Sequence, residues 1–428
     1  MIKKFILVFI ISIFFTACNS VHETKNVIRF WAMGSEAENI SKIIPVFEKE
    51  NPDIKIKVQQ VPWTAAQEKL ITAFASDNMP DMCQLGNTWI PQFVSLNAIE
   101  DLSEFINKSN EIKPDKFFKG IWETNIIDNK VYGIPWYVDT RVMFYRKDIF
   151  ENAGFTQPPK NWDELYNLCR KIKQHNERNE SYPIFIPTNE WSNFIIYGLQ
   201  SGAELLKENN TKGNFSSKGF KEAFSYLIKF HKEKLTPFGM MQVTNVYQAM
   251  ADGYISIYIS GPWNIPEFKN WMKGDLADKW TTAAMPGYRN EYPGLSLAGG
   301  SSLVLFRSSK HKKEVWKFIE FLSRPDVQLK FYSTTNNLPS VIKSWENKLL
   351  TENVYMKAFY EQLQNVSPMP KIPEWEQIVF SKLQQYAEFA AREKMTVDEA
   401  LKNLDKDADK ILEKRRWLEN KKRRKNDR

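Results

Sequence analysis

Val131-Tyr132-Gly133-Ile134-Pro135-Trp136-Tyr137-Val138-Asp139-Thr140-Arg141-Val142-Met143-Phe144-Tyr145 is the stretch on which the fold turns. It reads as extended throughout, and its 15 residues exceed the usual strand of about 5–6. Gly133 and Pro135 lie inside it, where glycine has no side chain to pack and proline cannot donate to a ladder. The run therefore suits a segment passing from one lobe to another better than a strand within one sheet. Tyr137, Asp139 and Arg141 alternate along it and so share a face.

Toward the N-terminus, Val27 to Ala32 reads as a short buried strand. Ser35 with Glu38 three residues on predicts a capping box, opening a helix with apolar positions Ile40, Ile43, Ile44 and Phe47. Ile54, Ile56 and Val58 alternate with Lys55, Lys57 and Gln59, which predicts a half-buried strand before a helix over Ala65 to Ser76. Asp81 to Leu85 follows as a third strand. Short connections between alternating strands and helices imply parallel pairing and an α/β lobe. Toward the C-terminus, helical patterns cover Trp162 to Lys173, Ser217 to Glu233 and Lys312 to Leu322, with buried strands at Ile255 to Ile259 and Leu303 to Phe306. Thr396 and Glu399 form a second capping box, before a helix with Val397, Ala400, Leu401, Leu404, Ala408 and Ile411 on one face.

Lys3 and Lys4 precede an apolar run from Phe5 to Phe15, too short for the roughly 20 residues a membrane-crossing helix needs. It is a signal peptide, ending in Phe15-Thr16-Ala17-Cys18. That ending resembles a bacterial lipobox, with Phe15 where leucine is usual, so Cys18 is expected to carry lipid. An ordinary signal peptide with an incidental cysteine is the other reading. The polar residues up to Asn26 would serve as a tether.

The formal charge of +8 is concentrated at the end of the chain, where Lys414 to Arg428 hold nine basic and two acidic side chains. The body between leader and tail is about neutral and offers no continuous phosphate-tracking stripe, which argues against nucleic acid as partner. The tail reads as a solvated helix end, or as a segment drawn to anionic lipid headgroups. Cys83 and Cys169 fall in different lobes, where a bridge would oppose hinge motion, and are expected as buried free thiols.

There is no Gly-x-Ser-x-Gly elbow, Gly-x-Gly-x-x-Gly, phosphate-binding loop or His-Glu-x-x-His. His22, His175, His231 and His311 stand alone and read as surface residues, with no cofactor or metal implied. Tryptophans near turn residues are abundant: Trp63, Trp89, Trp136, Trp191, Trp263 and Trp375. A sugar ring has an apolar C–H face that stacks on indole or phenol and an edge of hydroxyls for Asp, Asn and Arg. Each tryptophan taken alone reads as core or as ligand wall.

Gln84-Leu85-Gly86-Asn87-Thr88-Trp89, Gly133 to Arg141, Gly261-Pro262-Trp263-Asn264, Gly299-Gly300-Ser301 and Thr396-Val397-Asp398-Glu399-Ala400-Leu401 together resemble the solute-binding proteins of carbohydrate ABC importers. The resemblance covers Val27 to about Ile411 in order. It implies two discontinuous α/β lobes with a ligand cleft between them, no enzymatic activity, a monomer, and ABC permease subunits as partners. The expected division is 27–139 with 283–328, then 140–282 with 329–412, followed by a basic tail, 413–428. Ligands bind outside the carboxyl ends of strands in such sheets, which favours Glu36, Trp63, Asn87 and Trp89. Glu36 could instead serve its helix N-terminus. Trp136, Tyr137, Asp139, Arg141 and Trp191 join them. The resemblance adds Trp263, Gly299 and Gly300, the glycines allowing close backbone approach, and Trp375 after Met369-Pro370. The rival expectations are a binder of a polyamine, phosphorylated polyol or peptide, and an anchored glycoside hydrolase with a pair of cleft carboxylates.

Overall fold

The structure is a computed structural model that describes residues 26–175, 181–238 and 243–426. The leader, Cys18, His22 and all of the tether except Asn26 lie outside the described residues.

Two sheets organise the chain. The strand Asn26–Met33 pairs in parallel with Ile54–Val61 on one side and Met82–Gly86 on the other, as the alternation of strand and helix requires. Gly299–Leu305, Ile134–Asp139 and Leu338–Pro339 extend this sheet to six strands by antiparallel pairing. The second sheet has four strands in the order Trp280–Ala283, Val142–Arg146, Ile255–Ser260, Tyr182–Phe185. The opening stretch is thus divided between both sheets, with Thr140-Arg141 as the joint.

Proline at residue 135 is accommodated by an irregularity. The register against Gly299–Leu305 slips between Ser301 and Ser302, so that Ser301 faces Tyr137 and Ser302 faces Pro135, leaving Trp136 unpaired. A separate core backs each sheet. Phe30, Phe47, Trp136, Phe318 and Phe331 pack behind the first, while Trp162, Phe194, Phe224, Trp375 and Leu404 pack in the second lobe. Each fully buried side chain of this size contributes about 1.5–3 kcal/mol. Cys83 and Cys169 are both buried and free, on the first-sheet strand Met82–Gly86 and the second-lobe helix Trp162–His175 respectively.

Several local expectations are corrected. The Ser35 box does not form: Met33 is the N-cap, no side chain caps the helix Gly34–Ile40, and Glu38 instead accepts from Gln60. The helix does not continue to Phe47 either. It stops before Ile44–Glu50, which carries Pro45 in its first turn, because a proline further in would clash with the preceding turn's carbonyl. The Thr396 box does form, with both reciprocal bonds.

The later lobe boundaries also move. Trp280–Ala283 belongs to the second sheet, and Leu297 packs in the second-lobe core, so the chain returns at Ala298 rather than at residue 283. It then stays beyond residue 328: Val327 and Phe331 pack in the first core, and Leu338 pairs with Val138. The glycines and serines at 299–302 hide the first half of that returning strand from a reading based on apolar runs. His231 is buried rather than exposed, and neither of its ring nitrogens has a hydrogen-bond partner among the described residues. The helix Glu413–Asn426 is tied down at its start, where Arg416 donates to the carbonyls of Thr211 and Asp409. No described helix is long and apolar enough to cross a membrane.

Candidate functional site

A cleft of about 290 Å³ opens where the carboxyl ends of the first-sheet strands face the second lobe. From the first lobe come Trp63, Gly86, Asn87, Thr88, Trp89, Tyr137, Asp139 and Gly299 to Ser301. Arg141 lies at the joint, and Trp191, Leu297 and Met369 close the other side.

The first wall is a connected polar network. The Tyr137 hydroxyl donates to Glu36 Oε1 at 3.0 Å and accepts from Gln84 Nε2 and Ser301 Oγ, each between 3.0 and 3.4 Å of its neighbours in this cluster. Gln84 in turn accepts from the Met33 amide. Burial, with the Glu36 carboxylate adding to it, pushes the Tyr137 hydroxyl well above the usual phenol range, so it stays a neutral donor. Asn87 accepts from Ser302 through Oδ1, while its amide nitrogen has no partner among the described residues. Trp63 and Trp89 meet edge to face, with centroids 5.6 Å apart.

Charge in the cleft is balanced. Asp139 and Arg141 pair at 2.9 Å, and the same guanidinium lies 4.6 Å from the Trp263 ring centroid. Trp263 is 48% exposed but does not itself line the cleft, acting on it through Arg141. Gly261 makes this possible, since a Cβ there would sit 2.0 Å from the Trp263 ring.

Three expected wall residues are placed elsewhere. Trp136, which alternation puts opposite Tyr137, is fully buried and stacks on Phe331 at 4.5 Å. Trp375 is fully buried in the second-lobe core, its indole N–H directed at the Met369 sulfur, so it backs the wall rather than forming it. Glu36 is buried beneath the wall, holding Tyr137 and Asn337, and lies in the first turn of its helix. Gly299 and Gly300 do line the cleft, but their demand for glycine is internal. A Cβ at Gly299 would meet Asp139 Oδ1 at 2.2 Å; Gly300 has φ +117° and would press on the Tyr137 carbonyl at 2.3 Å.

Other participants were not singled out in the sequence. Phe380 is 53% exposed on the π-helical segment Ile378–Leu383 and packs edge to face with Trp191 at 5.7 Å. Glu376 accepts through one oxygen from Thr88 Oγ1 at 2.5 Å and Trp89 Nε1 at 3.0 Å. Lys371, half-buried and with its ammonium destabilised by that burial, donates to the carbonyls of Glu123 and Ile126. An aromatic five residues past Trp375 and an acid directly after it were the available signals.

Chemically the cleft offers aromatic faces, hydroxyl and amide hydrogen bonds, and one neutralised ion pair. Asp139 is the one carboxylate among its lining residues. No group of three or more metal-ligating side chains occurs among the described residues.

Comparison with known proteins places this arrangement. The sequence profile of the bacterial extracellular solute-binding proteins matches residues 33–329. A protein of Brucella abortus named as a binding protein is 30% identical over 378 residues, 86% of this chain and 88% of its own. The maltooligosaccharide ABC transporter solute-binding lipoprotein of Streptococcus pneumoniae is 24% identical over 343 residues, covering 78% of this chain and 76% of its own. The solved structure of the sugar-binding protein MalE of Xanthomonas citri superposes with a TM-score of 0.89 at 41% identity, over 92% of this chain and 99% of that one.

Proposed function

This chain belongs to the bacterial extracellular solute-binding protein family, and from that premise we propose that it captures a sugar or oligosaccharide between its lobes and delivers it to an ABC permease. The observation that carries the reading is the cleft itself, where Trp63, Trp89, Tyr137 and Trp191 surround a balanced Asp139–Arg141 pair. Stacking faces suit sugar C–H surfaces, and a neutral lining favours an uncharged solute over a polyamine or a phosphorylated one. The names of the Xanthomonas and Streptococcus relatives support the same ligand class.

In this reading Asn87, Asp139 and Arg141 bond ligand hydroxyls, and a missing hydroxyl leaves a buried polar group unpaired, which is the source of selectivity. Trp191 and Phe380 provide a stacking surface from the second lobe. Ligand binds the closed arrangement better than the open one and shifts the population toward it, by no more than that difference in affinity. The protein performs no chemistry, needs no cofactor, and acts as a monomer held at the extracytoplasmic face of the cell membrane by lipid on Cys18.

Titrating intrinsic fluorescence with mono- and oligosaccharides tests the ligand class: a saturable change is expected, and silence toward all of them removes the sugar assignment. Cys18→Ser tests the anchor, with the protein expected to leave the membrane fraction.

A further inference from the structure

We propose that Glu376 is a positioning residue that latches the two lobes together at the cleft and fixes the orientation of Trp89. Glu376 sits in the short helix Trp375–Gln377, whose first residue is buried in the second-lobe core, so its carboxylate is carried by that lobe. Thr88 and Trp89 form the turn Asn87–Trp89 that follows the first-sheet strand Met82–Gly86. One carboxylate oxygen therefore accepts from two donors of the opposite lobe, across 288 residues of sequence.

Bonds to an ionised acceptor are roughly twice as strong as neutral ones. They are joined by Lys371, which reaches from the same segment to two first-lobe carbonyls at 3.1 and 2.6 Å. Separating the lobes along this edge breaks all four contacts, none of which involves ligand. Closure therefore has a contribution from the protein alone, added to whatever a solute supplies. The indole N–H bond also sets how Trp89 meets Trp63 and the cleft, so the contact acts on ligand through Trp89 without touching it. The inference rests on the two-lobe cleft reading and on no particular solute.

The test uses the full chain with Cys18→Ser and spin labels at the exposed positions Lys49→Cys and Asn270→Cys, the two other cysteines being buried. Interlobe distances are measured by pulsed electron resonance without added sugar. Glu376→Ala is expected to raise the ratio of long to short distances by about tenfold. Glu376→Gln, which keeps an acceptor oxygen, should restore most of the short population. Trp89→Phe with Thr88→Val should shift the ratio in the same direction, and adding Glu376→Ala to them should add little. A distribution unchanged by Glu376→Ala, or one equally shifted by Glu376→Gln and Glu376→Ala, overturns the latch. Mono- and oligosaccharides added to the same samples separate the two readings: a distance shift on mutation with no response to any of them supports the latch and counts against the sugar assignment alone.

Discussion

The first-lobe wall of the cleft is a set of strand ends whose polar groups are already bonded to one another, whereas the second-lobe wall presents aromatic and sulfur surfaces on helices and loops. In the first, Glu36, Gln84 and Ser301 converge on one phenol, and glycines at 299 and 300 let backbones approach closely. In the second, Trp191 and Phe380 meet each other at the surface while Trp375 supports Met369 from below. The difference teaches a division of labour. A wall of polar groups tied to one another has little freedom and, with the Asn87 amide left over, can discriminate hydroxyl patterns, while aromatic faces tolerate variation in what lies on them.

The sharpest way to break this comparison is to remove support rather than surface. Trp375→Ala empties a fully buried site and is expected to destabilise the protein by about 3–5 kcal/mol in denaturant unfolding. If that variant is as stable as the parent, the second wall does not rest on the core as described.

Acid should destabilise the second lobe next. Burial lowers His231 in the second lobe to about 4, below the roughly 6.5 of an exposed histidine. The unfolded chain then binds more protons between those values, so stability is full above about 6.5 and falls as pH drops toward 4. The loss is of order 3 kcal/mol, and His231→Gln should flatten this part of the profile in thermal melts against pH.

Tyr137→Phe probes the polar wall. It leaves Glu36, Gln84 and Ser301 without their shared partner and should cost about 1–3 kcal/mol of stability, together with weaker sugar binding. In contrast, Phe380→Ala should change stability by under about 0.5 kcal/mol, because the ring is half exposed, while weakening oligosaccharide binding by about tenfold. Calorimetric titration of both variants distinguishes a wall that is structural from one that is grip alone. The smallest effect is expected from the two capping motifs: Thr396→Ala should cost about 1 kcal/mol and Ser35→Ala almost nothing, since only the former caps a helix.

That last pair shows where sequence reading succeeds. Both motifs have the same spacing, but the first helix starts at Gly34 with Met33 as its N-cap, which puts Ser35 inside the helix, and Glu38 accepts from Gln60 instead. The passage between sheets at Thr140-Arg141 was legible because an extended run of 15 residues cannot sit in one lobe, and Gly133 and Pro135 mark its irregularity. That Tyr137, Asp139 and Arg141 share one face was legible by alternation, and their side chains offer both stacking and hydrogen bonding. The same alternation sets Trp136 on the other side, yet indole chemistry by itself does not reveal which face is core.

The sequence by itself determined the alternating strands and helices, the chain's passage between two lobes, the free cysteines and a lining rich in aromatic rings, because periodicity, capping and composition act over a few residues. Only the tertiary structure decided that Trp136 and Trp375 are buried while Trp63, Trp191 and Phe380 are presented, and that Glu376 faces Thr88 and Trp89. Those outcomes depend on contacts made within each lobe's core and across the cleft between segments distant in sequence, which leave no local trace.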